Sequence, residues 1–384
     1  MQNFTYQNPT RIIFGAGQIA ALDAEVPQSA RVLVTYGGGS ILSNTVLAQV
    51  RTALGRREVS EFGGIEPNPA YETLMQAVAL ARAKDVDFLL AVGGGSVIDG
   101  TKFIAAALKF EGEPWDILAR QAVVSDAMPF GSVLTLPAAG SEMNSGGVIS
   151  HRAKGDKLAF NSAVTYPAFS ILDPTTTFSL PPRQIANGVV DAFVHVVEQY
   201  LTYPVDAKVQ DRFAEGLLVT LVEIGPRALA EPLDYDVRAN LMWAATLALN
   251  GLIGAGVPQD WSTHMIGHEI TALHGLDHAQ TLAIVLPAML TRCREGKRAK
   301  LLQYAERVWN ITGGSEDERI TGGIAATRAF FEQMTIGTRL SDYRIDGSSI
   351  ATLVAKLEEH GMTGLGERGD VTPEVSREVL QLAV

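Results

Sequence analysis

The stretch "FLLAVGGGSVIDGTKFIAAAL", residues 88–108, decides the fold class of this chain. It passes from an apolar strand pattern through three glycines and a serine into a helical pattern. The stretch "RVLVTYGGGS" at 31–40 repeats this order, and a helical pattern at 71–85 lies between the two motifs. Further strand patterns occur at 131–138 and 169–173. Strands that alternate with helices predict a parallel sheet with helices on both faces.

The character of the chain changes at the paired prolines of "SLPPRQ", residues 179–184. Beyond them apolar residues recur at helical spacing, as in "VVDAFVHVVEQYL" at 189–201, and almost no strand pattern remains. The sequence therefore predicts an α/β fold with two domains. A parallel-sheet domain spans residues 1–180, and an all-helical domain spans residues 181–384.

Composition excludes several classes of protein. Of the 384 residues 47% are hydrophobic and 19% are charged, which is typical of a packed globular chain. The net charge of −11 argues against a nucleic-acid partner, and no apolar run approaches the ~20 residues that span a bilayer. One cysteine, Cys293, excludes an internal disulfide and any site built from several cysteines. The N-terminal stretch lacks the pattern of a signal peptide, so we expect a cytoplasmic protein without a membrane partner.

The glycine turn after the strand at 88–92 has the composition of a diphosphate-binding loop. Glycines allow a ligand to approach the backbone closely, and the following helix offers free N–H groups at its positive end. Gly94 and Gly95 would supply N–H donors and Ser96 a hydroxyl. The turn lacks the GxGxxG pattern, so an ordinary tight strand–helix turn is the alternative.

The earlier turn, Gly37-Gly38-Gly39-Ser40, indicates which nicotinamide cofactor the chain would prefer. Sites that prefer NAD place an acidic residue near such a strand end, where it holds the ribose 2′-hydroxyl. No carboxylate occurs in this turn, and its N–H groups and the Ser40 hydroxyl suit a 2′-phosphate. The turn therefore predicts NADP(H), although a plain turn is again the alternative.

Histidine and aspartate side chains form a candidate metal site in the second half of the chain. Asp191 and His195 stand at i and i+4, so a helix points both from one face. His264 and His268 have the same spacing, and His278 follows the "GLD" turn. One oxygen and three imidazole nitrogens suit Fe(II), Zn(II) or a similar divalent ion. The alternatives are a surface contact for the Asp–His pair and a structural polar network for the histidines.

The histidine cluster does not match a hydrolytic zinc site. Such a site requires His-Glu-x-x-His, with the glutamate directly after the first histidine. Residue 265 is methionine, and Glu269 follows the second histidine instead. We expect His274 to be a loop or supporting residue, and His151 and His360 to be solvated surface residues.

Beyond these patterns, the chain resembles the iron-containing (group III) alcohol dehydrogenases nearly end to end. Within that family, which has the dehydroquinate synthase-like fold, it is similar to the bacterial NADPH-dependent aldehyde reductases and butanol dehydrogenase-like members. The motifs that carry the resemblance are "PTRIIFGAG", "GGIEPNPAYETL", "AVGGGSVIDGTKFIAAA", "TLPAAGSEMN", "LDPTTTFSLPPRQIANGVVDAFVHVVEQY" and "THMIGHEITALHGLDHAQTLAIVLP". The last two cover the family's signature regions.

The resemblance implies a role for each candidate residue. It implies an N-terminal dinucleotide-binding domain and a C-terminal metal-binding domain, and it leaves His268 as a catalytic-site histidine that does not bind the metal. It assigns one divalent metal, Fe2+ or Zn2+, to Asp191, His195, His264 and His278. The residues that it implies for NADPH are Gly37, Gly38, Gly39, Ser40, Gly94, Gly95, Ser96, Asp99, Thr135, Ser141, Lys157 and Leu180. One departure is Ala139, where relatives commonly have threonine.

The activity implied by the resemblance is reversible reduction of aldehydes to primary alcohols by NADPH, in a homodimer acting on a small-molecule substrate. Short to medium aliphatic aldehydes are the expected substrates. The alternatives are a dehydroquinate synthase-like or glycerol dehydrogenase-like enzyme, and a metal-binding protein without catalysis. A dehydroquinate synthase-like site would need basic residues, and the segments 191–200 and 261–281 contain no lysine or arginine.

Overall fold

The structure is a computed structural model that describes the backbone of residues 1–384 and all side chains except those of Ser40 and Ser43. Its contacts divide the chain into two compact units. The α/β unit comprises Gln7–Pro181 and Pro232–Thr246. The helical unit comprises Met1–Tyr6, Pro182–Glu231 and Leu247–Val384. Two segments, residues 1–6 and 232–246, thus belong to a different unit from the residues that adjoin them in sequence.

The strands and helices follow the predicted alternation in the first half of the chain. The strands are β1 (Arg11–Phe14), β2 (Arg31–Gly37), β3 (Glu58–Ile65), β4 (Phe88–Gly94), β5 (Phe130–Leu136), β6 (Gly146–His151), β7 (Asp156–Asn161) and β8 (Phe169–Leu172). The helices are α1 (Leu22–Glu25), α2 (Ser40–Ser43), α3 (Val46–Leu54), α4 (Tyr71–Ala83), α5 (Gly95–Lys109), α6 (Asp116–Ala119), α7 (Pro182–Tyr200), α8 (Lys208–Ala230), α9 (Tyr235–Ala248), α10 (Ser262–His274), α11 (His278–Arg292), α12 (Arg298–Arg307), α13 (Glu316–Gln333), α14 (Ile350–Glu359) and α15 (Pro373–Leu382).

Six parallel strands form the main sheet of the α/β unit, in the order β1-β8-β5-β4-β2-β3. The chain passes from β2 outward to β3 and then crosses back to β4 on the other side of β2, so the strand order reverses between β2 and β4. Tyr36 pairs with Val92, which brings the two glycine turns side by side at this switch point. Open parallel sheets bind nucleotides at such a point. The predicted fold class is confirmed.

Strand β4 lies at the centre of the core of this unit. Leu89 and Ala91 pack into the cluster on one face of the sheet, whereas Leu90 and Val92 pack into the cluster on the other face. A strand that is covered on both faces is a continuous apolar run, and the stretch "FLLAV" has this pattern. An antiparallel hairpin, β6–β7, lies outside the main sheet and was not predicted, since its alternation is broken by Gly146 and Gly147.

Helix α7 forms the centre of the helical unit. All of its residues from Gly188 to Tyr200 are buried, as expected for a helix that is apolar around most of its circumference. The Phe193 ring contacts the rings of Phe330 and Phe331, with centroid distances of 5.3 and 5.6 Å. Among the described residues, none of the helices has both the length and the apolar character needed to cross a membrane.

We predict that Phe193→Ala lowers the free energy of unfolding by about 3–5 kcal/mol, because the side chain is fully buried and its removal leaves a cavity. Phe213→Ala is the matched control, since this phenylalanine of α8 is 47% exposed. We expect a change below about 1 kcal/mol for the control. Urea denaturation of both variants measures the difference, and equal losses would contradict the assignment of α7 as a central element.

Two histidines lie in surroundings that the sequence did not indicate. His151 stacks on Tyr71, with ring centroids 5.1 Å apart, and only 14% of its side chain is exposed. The side chain of His360 is 8% exposed, and its Nδ1 lies 2.7 Å from Glu269 Oε1. The prediction that both are solvated surface residues is wrong, because polar neighbours in sequence do not determine which side chains fold over a residue.

Candidate active site

The first two candidate ligands lie one turn apart on α7. Asp191 and His195 are 5% and 3% exposed. The Nδ1 atom of His195 lies 2.8 Å from the backbone carbonyl oxygen of Asp191, to which it can donate its proton. This bond selects the tautomer whose Nε2 lone pair is available to a metal. Burial lowers the pKa of His195 to about 4, which keeps the imidazole in its neutral, ligating form.

His264 approaches this pair from α10. Its Nε2 atom lies 3.1 Å from Nε2 of His195, and the side chains of Asp191, His195 and His264 each offer an atom within 4.8 Å of the others. Two nitrogens that bind one ion at about 2.1 Å are separated by roughly 3 Å, so the observed distance fits a shared metal. One carboxylate and two imidazoles suit Fe2+ or Zn2+.

His278 lies beside these three residues, at the first position of α11. Its Nε2 atom is 3.7 Å from Asp191 Oδ1, and 25% of its side chain is exposed. Its ring centroid is 5.2 Å from that of His264. The structure thus brings three of the four predicted ligands into one buried group and places the fourth at its more exposed side.

The other two histidines of the cluster differ in their surroundings. His268 is 3% exposed and follows His264 by one helical turn. Its ring centroid lies 5.2 Å from that of His278 and 6.4 Å from that of His264. His274 instead forms a 2.9 Å hydrogen bond with Ser349 through its Nε2 atom. His268 therefore borders the group of candidate ligands, whereas His274 supports the local fold.

Glu198, which the sequence analysis did not identify, holds His264 in place. Its Oε1 atom accepts a 2.6 Å hydrogen bond from the backbone N–H of Thr263, and its Oε2 atom contacts Nδ1 of His264. A carboxylate behind a ligating histidine fixes the ring and raises its basicity. A glutamate within the apolar run of α7 is the signal in the sequence that could have identified it.

The glycine turn after β4 has little room for side chains. A Cβ atom on Gly93 would lie 2.5 Å from Val97, and one on Gly94 would lie 2.9 Å from Cβ of Leu136. Helix α5 begins at Gly95 and has no acidic residue in its first turn. The first N–H groups of this helix, with the Ser96 hydroxyl beside them, form the arrangement that binds phosphate at helix N-termini.

The turn after β2 is more open. Among the described atoms, none lies within 4 Å of a Cβ atom built on Gly38 or Gly39. The predicted contact of the Ser40 hydroxyl lies outside the described side chains. The carboxylate of Glu61, on the neighbouring strand β3, is held by Arg51 through bonds of 2.6 and 2.7 Å. Arg51 lowers the pKa of Glu61, so this carboxylate stays paired with the guanidinium.

Asp99 and Ser141, two predicted cofactor residues, contact each other. Asp99 Oδ1 accepts a 2.5 Å hydrogen bond from Ser141 Oγ, and its Oδ2 accepts one of 3.0 Å from the Val148 backbone N–H.

Two lysines of the same unit are buried. Lys157, a predicted cofactor residue, is 4% exposed. Lys102, also missed from the sequence, donates to Asn144 Oδ1 at 2.7 Å, and burial lowers its pKa to about 8.

The remaining predicted cofactor residues, Thr135 and Leu180, also belong to the α/β unit. Thr135 is near the end of β5, and Leu180 donates its N–H to the Thr177 carbonyl oxygen at 3.1 Å. Ala139 lies near Gly95, since a Cβ atom on this glycine would meet that of Ala139 at 3.2 Å.

Comparison with known proteins places this arrangement in a family. Residues 9–174 match the family described as "Iron-containing alcohol dehydrogenase". Residues 185–364 match the family described as "Fe-containing alcohol dehydrogenase family, C-terminal". The chain is 66% identical to the NADPH-dependent aldehyde reductase YqhD of Escherichia coli, with complete coverage of both proteins. It is 40% identical to a probable NADH-dependent butanol dehydrogenase of Bacillus subtilis, over 95% of each.

Solved structures show the same relationship. A crystal structure of the Escherichia coli protein matches with a TM-score of 0.99 at 65% identity, covering 100% of this chain and 99% of that one. The NADH-dependent butanol dehydrogenase A of Thermotoga maritima matches with a TM-score of 0.96 at 34% identity, again over 100% and 99%. Matches to the family over most of the chain, together with relatives of this identity over its full length, show that the protein belongs to the iron-containing alcohol dehydrogenase family.

Proposed function

We propose that this protein reduces aldehydes to primary alcohols by hydride transfer from NADPH, using one divalent metal, Fe2+ or Zn2+. The observation that carries the proposal is the buried group of Asp191, His195 and His264. Its carboxylate oxygen and two imidazole nitrogens form a metal site that lacks, next to the first histidine in the sequence, the glutamate that would activate water. The full-length similarity to an aldehyde reductase supports the same reaction. Short to medium aliphatic aldehydes are the proposed substrates.

The proposed division of labour follows the two parts of the chain. Residues 1–180 would bind NADP(H), with the diphosphate on the turn before α5 and the 2′-phosphate on the turn after β2. Residues 181–384 would hold the metal through Asp191, His195, His264 and His278. The other proposed cofactor contacts are Asp99, Thr135, Ser141, Lys157 and Leu180.

The chain's own residues determine how the reaction would proceed. When bound, NADPH supplies the hydride and the divalent metal supplies Lewis-acid polarisation of the carbonyl group. The burial of Asp191, His195 and His264 removes water from the site, which strengthens the electrostatic interactions there. Glu198 fixes the ring of His264. The product oxygen requires one proton, and His268, which borders the ligand group, is the proposed donor.

The preference for NADPH rests on the turn at 37–39. The relatives do not decide it, because the Escherichia coli protein is named as NADPH-dependent and the Bacillus subtilis protein as NADH-dependent. The turn contains no carboxylate that would repel a 2′-phosphate, and it has open space beside Gly38 and Gly39. Both features favour the phosphorylated cofactor.

The test is a set of aldehydes of increasing chain length, assayed with NADPH and with NADH after the protein is loaded with Fe(II), Zn(II) or Mn(II). We expect aldehyde-dependent NADPH oxidation with at least one metal, and rates with NADPH that exceed those with NADH. No NADPH oxidation with any aldehyde and any metal would overturn the proposed activity. Equal rates with the two cofactors would overturn only the assignment of the 37–39 turn.

We further propose a homodimer in the cytoplasm, which the family resemblance supports. Light scattering of the purified protein after gel filtration tests the dimer. A mass of one chain would contradict it.

A further inference from the structure

We propose that Asn187 and Arg183 are positioning residues that hold the fourth metal ligand, His278, in its place beside the other three. The inference rests on the metal site of the proposed function. It concerns how the chain assembles that site, and it arises from a polar contact between α7 and the turn that precedes α11.

Polar side chains occur at four-residue intervals along one face of α7. Because a helix turns once in 3.6 residues, side chains spaced by four lie above one another. Asp191 and His195, two of the proposed ligands, belong to this row. The residues one and two turns before Asp191 are Asn187 and Arg183, and both point their donors at one carboxylate.

That carboxylate belongs to Asp277, the residue directly before His278. Asp277 Oδ2 accepts a 2.7 Å hydrogen bond from Asn187 Nδ2. It also accepts a 2.8 Å hydrogen bond from Nε of Arg183, whose Nη2 atom lies 2.7 Å away and completes the ion pair. A carboxylate that is bonded to a guanidinium and to an amide is restrained in its position, because such charge-assisted bonds are directional.

The same residue fixes the start of the helix that carries the ligand. The backbone N–H of Asp277 donates to Gln280 Oε1 at 3.0 Å as part of a capping box, and α11 begins at His278. The capping box fixes the position of His278 at the start of α11. The bonds from Asn187 and Arg183 to Asp277 fix the position of this helix start relative to α7. His278 needs this support more than the other ligands, since it follows a turn of three residues and is the most exposed of the four.

The contact therefore has a role that a general stabilising contact would lack. When the contact with Asp277 is lost, Asp191, His195 and His264 remain together in the core through their own packing. Only the position of His278 relative to these three residues becomes variable. Loss of the contact should weaken metal binding and change the coordination geometry, and it should leave the fold and NADPH binding intact.

The experiment uses Asn187→Leu and Arg183→Met in the full-length protein, stripped of metal and titrated with Co(II) against a competing chelator. We expect each variant to bind Co(II) about 10–100-fold more weakly than the unchanged protein, the loss typical of outer-sphere partners of metal ligands. The visible d–d absorption of bound Co(II) should change as well, because it depends on the number and geometry of the ligands. Arg183→Lys restores a cation and should recover part of the affinity.

Arg212→Met is the matched control, since Arg212 forms a 2.8 Å ion pair with Glu215 in the same unit and has a similarly exposed side chain, 62% against 68% for Arg183. The control should bind Co(II) as the unchanged protein does. Unchanged affinity and absorption in both Asn187→Leu and Arg183→Met would overturn the inference. A protein that binds no Co(II) before any substitution would instead overturn the metal site of the proposed function.

Discussion

His264→Ala should reduce aldehyde-dependent NADPH oxidation by about 1000-fold or more, which corresponds to roughly 4 kcal/mol of transition-state stabilisation. The physical reason is the position of the imidazole, whose Nε2 lies 3.1 Å from that of His195 within the buried ligand group. Its removal leaves a cavity where the third ligand stood and leaves Glu198 without the ring it fixes. Steady-state kinetics after loading with Fe(II) or Zn(II) measures the loss.

His274→Ala is the control for this prediction, since it removes a histidine from the same helix. His274 bonds Ser349 and does not belong to the ligand group, so we expect activity within a fewfold of the unchanged protein. NADPH binding, followed by fluorescence, should be unchanged in both variants. If His264→Ala keeps its activity in protein that is rigorously free of metal, the proposed chemistry is wrong.

Gly38→Asp should weaken binding of NADPH by about 100-fold and leave binding of NADH much less affected. A carboxylate at this turn would face the 2′-phosphate, and like charges in contact cost several kcal/mol. The backbone accepts the side chain, because the φ angle of Gly38 is not in the left-handed region and no described atom lies within 4 Å of its Cβ position. Dissociation constants for the two cofactors, measured by fluorescence titration, give the ratio.

Gly38→Asn separates charge from size in this experiment. Asparagine has nearly the shape of aspartate but no negative charge, so the variant should keep its preference for NADPH. Equal losses of NADPH affinity in the two variants would show that the added volume, and not the charge, disturbs the turn. A Gly38→Asp protein that binds NADPH normally would exclude this turn from the 2′-phosphate site.

The sequence predicted those features that depend on neighbours along the chain. The strand–glycine–helix order around Gly93–Gly95 indicated the parallel sheet, because strand and helix periodicities are local properties. The four-residue spacing of Asp191 and His195 placed both on one face of α7 for the same reason. The hairpin β6–β7 escaped prediction, since glycines at 146 and 147 weaken the strand pattern.

The tertiary structure decided what depends on residues far apart in sequence. His264 and His268 share one face of α10, so spacing alone could not tell which of them reaches His195. In the folded chain His264 does so, with its Nε2 atom 3.1 Å from that of His195. Glu198 contacts a histidine 66 residues away, and Asn187 contacts an aspartate 90 residues away. Such contacts follow from how helices pack, and helix packing is a property of the whole core. The sequence by itself therefore determined the fold class and the candidate ligands, and only the fold determined which side chains hold those ligands in place.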